Sequence, residues 1–313
     1  MAVRSRNILQ ETGFDAGLGI RLSIIAARVF SFIAYHTPLS IGYLLADITA
    51  VWMFLRFHSY RRAVMANLRT VYDGALPERE LRKRARWVFR TSSRNFWDLA
   101  SLPRFDRQRL EAMHYVEVGS WDLIDEAMER GSGAIMISAH LGAFDFIGQY
   151  VLTGRHRPLA LTASTVSNYL FAGVTYWRRS LGSRVEVVNS NSLRHVVQAM
   201  RNGEFVAMVA DRNFAERGYP TTFFGKATTL PVGAVKLARA TGAPLIPVLA
   251  YRKSIRDRKR KFFFRIGQPI YVERTANRNA DIADGMRRVV DVLEESIRRA
   301  PEQWVMFQPV WPE

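Results

Sequence analysis

The chain has 313 residues and is 48% hydrophobic, enough for a sizeable core, so global disorder and fibrous classes are excluded. It has no cysteine, which excludes disulfide scaffolds, Cys-zinc sites, Fe–S clusters and thiol nucleophiles. With 45 Lys+Arg against 28 Asp+Glu the net charge is +17, which implies an anionic partner: nucleic acid, an anionic membrane or a phosphorylated ligand.

Residues 20–57 form an apolar stretch interrupted by Arg28, His36, Pro38, Asp47 and Arg56. A spanning helix needs about 18 or more apolar residues with few charges. The interruptions predict instead two amphipathic helices, split near Pro38 and lying in a membrane interface. Tyr43, Trp52 and Phe54 suit that depth, and Arg56, Arg61 and Arg62 suit anionic headgroups. Residues 59–104 read as Arg-rich helices with Trp87, Phe89, Phe96 and Trp97 on their apolar faces. The pattern changes after Pro103. Residues 1–104 are therefore expected to be a helical, membrane-associating region, and residues 105–313 an α/β domain.

In that second part, short apolar runs at 133–139, 158–164, 185–188, 205–210, 245–251 and 261–267 read as buried strands. Helical stretches lie between them, near 120–130, 143–153, 167–180, 192–202 and 232–241. The periodic segment 281–300, with Ile282, Met286, Val289, Val290, Leu293 and Ile297, closes the domain. This alternation predicts a mixed, mostly parallel sheet flanked by helices. A phosphate-binding loop, a dinucleotide fingerprint, a serine elbow and a strong zinc signature are all missing.

The strand over 133–139 runs into His140, and open α/β sheets place their ligands at the carboxyl ends of strands. Gly142 permits a tight turn, after which Asp145 falls on the first turn of the next helix. A carboxylate on one imidazole nitrogen leaves the other as a base, and Asp145 is a candidate for that carboxylate. Nothing nearby offers an obvious nucleophile, so the pattern suits direct deprotonation of a substrate hydroxyl. Asp211 and Arg212 also follow a strand. Asp211 is read as supporting His140 or holding an acceptor, and Arg212 as holding phosphate. The run 251–262 carries seven basic residues and is read as facing anionic lipid or an acidic carrier protein; it lacks the recognition helix or stacking platform of a nucleic-acid surface.

The segment SAHLGAFDF resembles the H-x4-[DE] block of the lysophospholipid acyltransferase superfamily. More closely, the chain is similar to the bacterial lipid A biosynthesis acyltransferases and the phosphatidylinositol mannoside acyltransferases. The segment from Arg61 to Leu68, WRRSLG (177–182), VADRNF (209–214) and the stretch 223–248 with its Phe-Phe-Gly resemble further blocks in order, so the resemblance covers nearly the whole chain. It departs at Asn213, where the family pattern has an acid. The C-terminus, and Asp in place of Glu in the H-x4 block, lean toward the mannoside branch.

The resemblance implies that His140 takes a proton from the acceptor hydroxyl, oriented by Asp145, and that the hydroxyl attacks the thioester of an acyl-CoA or acyl-carrier protein. Backbone N–H groups at Gly142, Ala143 and Phe144 would hold the oxyanion. Arg178 or Arg179 would bind donor phosphate, and Phe224 and Gly225 would line the apolar site or its loop. No metal and no cofactor beyond the donor substrate are implied. The expected partners are the thioester donor, a glycolipid or phospholipid acceptor and an anionic membrane surface, without nucleic acid. The expected place is the cytoplasmic face of the inner membrane, peripheral or monotopic. A non-catalytic protein that binds anionic lipid is the rival from another class.

Overall fold

A computed structural model describes residues 18–102, 105–146, 159–163, 173–174, 177, 184–187, 192–202, 204–213, 218–254 and 261–311. Arg178, Arg179 and the middle of the basic run 251–262 lie outside these residues, as do most of the helices expected near 143–153 and 167–180.

Among the described residues four helices come first: α1 (Leu18–His36), α2 (Leu39–Arg56), α3 (His58–Val71) and α4 (Glu78–Ser101). The split between α1 and α2 falls at Thr37-Pro38, as expected, because Pro38 cannot continue the first helix. On α2 the inward residues include Gly42, Ala46 and Ala50, while Ile41, Leu44, Ile48, Val51, Trp52 and Leu55 face outward. This inverts the usual soluble pattern, in which the larger apolar side chains are buried. The small inward residues let α2 approach α4 closely: a Cβ on Gly42 would lie 2.3 Å from the Trp97 ring nitrogen. Leu22, Ile25, Val29 and Phe32 extend the outward apolar stripe along α1 at three- and four-residue spacing. Of the three aromatic residues expected at interface depth, only Trp52 is exposed. Tyr43 and Phe54 are buried against α4. The charge that interrupts the apolar run, Asp47, is also turned inward, where Arg90 and Arg94 of α4 pair with it.

The other elements within the described residues follow in order: α5 (Arg107–Glu111), β1 (His114–Val118), α6 (Asp122–Glu129), β2 (Ala134–Ser138), β3 (Leu159–Ala163), β4 (Arg184–Val187), α7 (Ser192–Arg201), β5 (Phe205–Val209), β6 (Tyr219–Phe223), β7 (Lys226–Leu230), α8 (Gly233–Thr241), β8 (Leu245–Tyr251), β9 (Phe262–Ile266), α9 (Arg278–Arg299) and a 3-10 turn at Pro301–Gln303. Among the described residues the sheet has seven strands in the order β1-β9-β8-β2-β5-β3-β4, and only the β8–β9 pairing is antiparallel. The mixed, mostly parallel sheet is therefore the one expected. Two features were not: β1, an edge strand that alternates only partly, and the β6–β7 hairpin, whose Thr-rich strands carry little apolar signal.

Strand β2 is buried along its whole length because both sheet faces are covered. Its side chains alternate between two cores. Ala134 and Met136 join the core shared with α1, α2, α4 and α6, whereas Ile135 and Ile137 join the core formed with α7, α8, α9 and the C-terminal segment. Helix α9 buries the six apolar residues expected of it and is capped by Asn277, whose side chain accepts from Ala280 N–H.

Candidate functional site

Strands β2 and β5 are parallel neighbours in register, with Ser138 opposite Val209. Both end there, so the residues two positions further on, His140 and Asp211, face one another. The ladder runs one step past the strands, with Ala210 N–H donating to Ser138 O at 2.9 Å. The next backbone donor, His140 N–H, is taken by the Asp211 side chain at 2.8 Å.

The imidazole Nδ1 of His140 lies 2.8 Å from the other Asp211 oxygen. A carboxylate only accepts, so this contact puts a proton on Nδ1 and leaves Nε2 as a lone pair. A third donor, Trp304 Nε1–H, reaches Asp211 Oδ2 at 2.8 Å. Burial alone would push the Asp211 carboxyl up; the His140 imidazole and the hydrogen bonds from His140 and Trp304 outweigh it and hold the group below its usual range. Asp211 is fully buried, whereas the His140 side chain keeps 16% of its surface exposed, with the Phe144 ring edge-on at 5.2 Å. An ionised anchor beneath a partly open imidazole is the arrangement of a general base.

The carboxylate on Nδ1 is thus Asp211. The H-x4-D spacing points first to Asp145 for that place, with Asp211 as the alternative. Trp304 was missed, and the aromatic C-terminus was its only signal. That segment is held in place by Asn67, which donates to the carbonyls of Met306 and Gln308 and accepts from Val310 N–H. Val305 N–H in turn donates to His140 O at 2.7 Å.

The turn after His140 is tight. Gly142 has φ +55°, and a Cβ there would lie 2.3 Å from Ala250 O and 2.6 Å from Tyr251 Cα. Of the three expected oxyanion donors, Gly142 N–H already donates to Gln303 O and Ala143 N–H to Ala250 O, both at 2.9 Å. Phe144 opens the helix that begins there. Arg212 donates to Gln308 Oε1 at 2.8 Å. Asn213, at the family's acidic position, donates to Thr229 Oγ1 at 3.1 Å and so ties the loop to the β6–β7 hairpin. Phe224 sits at the tip of that hairpin with φ +49°, beside Gly225 at φ +73°. Its ring is buried, 6.5 Å from Trp304, and its N–H donates to Glu294. It packs behind the residue that holds Asp211. Arg252, first of the basic run, is buried and paired with Asp98, so it faces neither solvent nor lipid. Among the described residues no cluster of His, Asp and Glu has the spacing to hold a metal ion.

Known proteins resemble this chain. It is 26% identical over 221 residues to a phosphatidylinositol mannoside acyltransferase of Mycobacterium tuberculosis (strain ATCC 25618 / H37Rv), covering 69% of this chain and 66% of that protein. The counterpart of Mycolicibacterium smegmatis is 27% identical over 225 residues, covering 68% and 70%. The lipid A biosynthesis palmitoleoyltransferase of Escherichia coli (strain K12) is 22% identical over 193 residues, covering 61% and 60%. The chain thus spans about two thirds of the length of the mycobacterial relatives it matches. A family model described as bacterial lipid A biosynthesis acyltransferase matches residues 21–313, from the outward apolar helices through the His140–Asp211 pair to the C-terminal segment, and the chain belongs to that family.

Proposed function

We propose that this protein is a membrane-associated O-acyltransferase. It moves a fatty acyl chain from an acyl thioester, on coenzyme A or acyl-carrier protein, to a hydroxyl of a membrane glycolipid. The observation that carries this reading is the buried Asp211 holding the partly exposed His140 by Nδ1, which leaves the Nε2 lone pair to act as base.

In the proposed reaction Nε2 takes the proton of the acceptor hydroxyl as its oxygen attacks the thioester carbonyl. The tetrahedral adduct collapses, the carbon–sulfur bond breaks, and the thiolate leaves as a thiol with the proton that His140 holds. Asp211 keeps the tautomer and stabilises the imidazolium formed between the two steps. The oxyanion falls to Phe144 N–H rather than to Gly142 or Ala143, whose N–H groups are already used. Asp145, one residue further, keeps a place at the site without the Nδ1 contact. Arg212 and the Arg178–Arg179 pair are proposed to meet donor or acceptor phosphate. A mannosylated phosphatidylinositol-like acceptor is preferred over a lipid A precursor or a lysophospholipid, because two of the relatives are named for the first.

The outward stripes of α1 and α2 support association with a membrane surface; the cytoplasmic side is proposed for it because a coenzyme A or carrier-protein donor is made there. Helix α2 is the described helix long and apolar enough to cross a membrane, with a mean hydropathy of 1.4. Its Asp47 is tied to two arginines of α4, which favours lying flat with α4 behind it. Exposed Arg56, His58 and Arg62 at its end suit anionic headgroups.

The test is thiol release from palmitoyl-CoA, and separately from palmitoyl-carrier protein, with and without lipids from the protein's own source. Lipid-stimulated release that His140→Ala abolishes supports the reading. If neither donor is turned over, the reading fails.

A further inference from the structure

The turn after His140 is held by a second set of contacts, from residues that carry no part of the chemistry above. Gly142 N–H donates to Gln303 O at 2.9 Å. The Gln303 side chain accepts from Arg252 N–H at 2.8 Å and donates to Arg252 O at 2.6 Å. The Arg252 guanidinium donates to Asn95 Oδ1 at 3.1 Å. Asn95 Nδ2 closes the circuit by donating to Gly142 O. The four residues come from α4, the β2 turn, the end of β8 and the 3-10 turn, so a closed ring of hydrogen bonds joins four separate elements.

The residue types are those the ring requires. Arginine only donates, so the amide oxygen of Asn95 must face Arg252 and its NH2 must face the Gly142 carbonyl. Aspartate at position 95 would keep the first contact and set an acceptor against a carbonyl in the second. Arg252 is buried at 2% exposure, and Asp98 and Tyr43 anchor it: Asp98 pairs with its guanidinium, and Tyr43 OH lies 3.0 Å from Asp98 Oδ2. Gly142 stands two residues from His140, in a backbone conformation that favours glycine and with no room for a Cβ.

We propose that Asn95, Arg252 and Gln303 are positioning residues that hold the Gly142 turn, and through it the His140 imidazole, in reactive geometry. This rests on His140 being the base. Because a misplacement of about 1 Å can cost up to about 100-fold in rate, releasing the turn lowers kcat while the binding surfaces stay intact.

The experiment compares wild type, His140→Ala, Asn95→Asp, Asn95→Ala and Arg252→Lys. Asn95→Asp keeps an acceptor facing Arg252, and Arg252→Lys keeps a positive charge beside Asp98, so each loosens the ring without removing both of its partners; circular dichroism identifies the variants that fold, and kcat is read per folded molecule. Each is measured for kcat and KM toward the thioester, for melting temperature, and for amide exchange at Gly142 and Val305. The expected result is a 10- to 100-fold fall in kcat, KM within about twofold, and faster exchange at both amides. An unchanged kcat in Asn95→Asp and Arg252→Lys overturns the proposal. So does a fall in melting temperature with kcat per folded molecule retained, since that is a merely structural role. If wild type turns over neither donor, the acyltransferase reading has failed and the positioning role falls with it; exchange then reports only whether the ring holds the turn, and protection kept in Asn95→Asp overturns that as well.

Discussion

Replacing Asp211 with Asn tests the dyad with little change of shape. Three donors converge on the carboxylate: His140 N–H and Trp304 Nε1–H on one oxygen, and His140 Nδ1–H on the other. An amide offers one oxygen and one NH2, so it can be placed in two ways. With its oxygen toward His140 N–H and Trp304, one donor–donor clash remains, at Nδ1. With its oxygen toward Nδ1, two clashes remain. Each buried unpaired group costs about 1–3 kcal/mol, so the first placement wins. The NH2 group then faces Nδ1 and forces the imidazole to carry its proton on Nε2, the nitrogen that must act as base. A general base contributes about 10²–10⁴-fold, or roughly 3–5 kcal/mol of barrier. Asp211→Asn should therefore lose at least 100-fold in lipid-stimulated thiol release, while circular dichroism and melting show a folded protein. Activity within fivefold of wild type would refute the assignment of Asp211 as the group that sets the tautomer.

Trp304→Phe keeps an aromatic ring but removes one hydrogen bond to a charged group and part of a buried indole, so urea unfolding should show a loss of at least about 1.5–3 kcal/mol, with a smaller loss of rate than in Asp211→Asn. Gly142→Ala forces a Cβ against the backbone of Ala250 and Tyr251 at positive φ, and should lower both the melting temperature and activity. The Asp211 carboxyl is depressed below its ordinary value of 3.8, so its stabilisation is fully present above that value and is lost as the pH falls through the lower folded value. The urea midpoint should accordingly drop in acid, and Asp211→Asn should flatten that limb. Ile48→Glu with Trp52→Glu removes two exposed anchors, each 57% exposed. At about 1.5–3 kcal/mol for each buried side chain, binding to anionic vesicles should weaken by at least tenfold, with thiol release from soluble donor retained.

The central strands were legible because β2, β5 and β8 are short apolar runs buried on both faces, and α9 because its apolar residues keep one helical face. The hairpin β6–β7 was not, since Thr221, Thr222, Thr228 and Thr229 give no apolar alternation. On α2 both faces are apolar, so the sequence could not say that Tyr43 and Phe54 turn in while Ile48 and Trp52 turn out. That choice is made by Asp47, which must reach the α4 arginines. His140 was legible from its place at a strand end. Its partner was not, because H-x4-D spacing favours the near carboxylate, whereas the contact is set by β2 and β5 being neighbours in register across 71 positions of sequence. Trp304 and Arg252 were hidden for the same reason: one sits in an aromatic tail and the other at the start of a basic run, and only the fold turns both inward.

The most direct test of the central claim is mass spectrometry of membrane lipids after incubation with a labelled acyl thioester and either wild type or His140→Ala. The account predicts a glycolipid that gains one labelled acyl chain on a hydroxyl with wild type and not with the variant. A labelled product formed equally by both proteins, or no labelled lipid with either coenzyme A or carrier-protein donor, would contradict it.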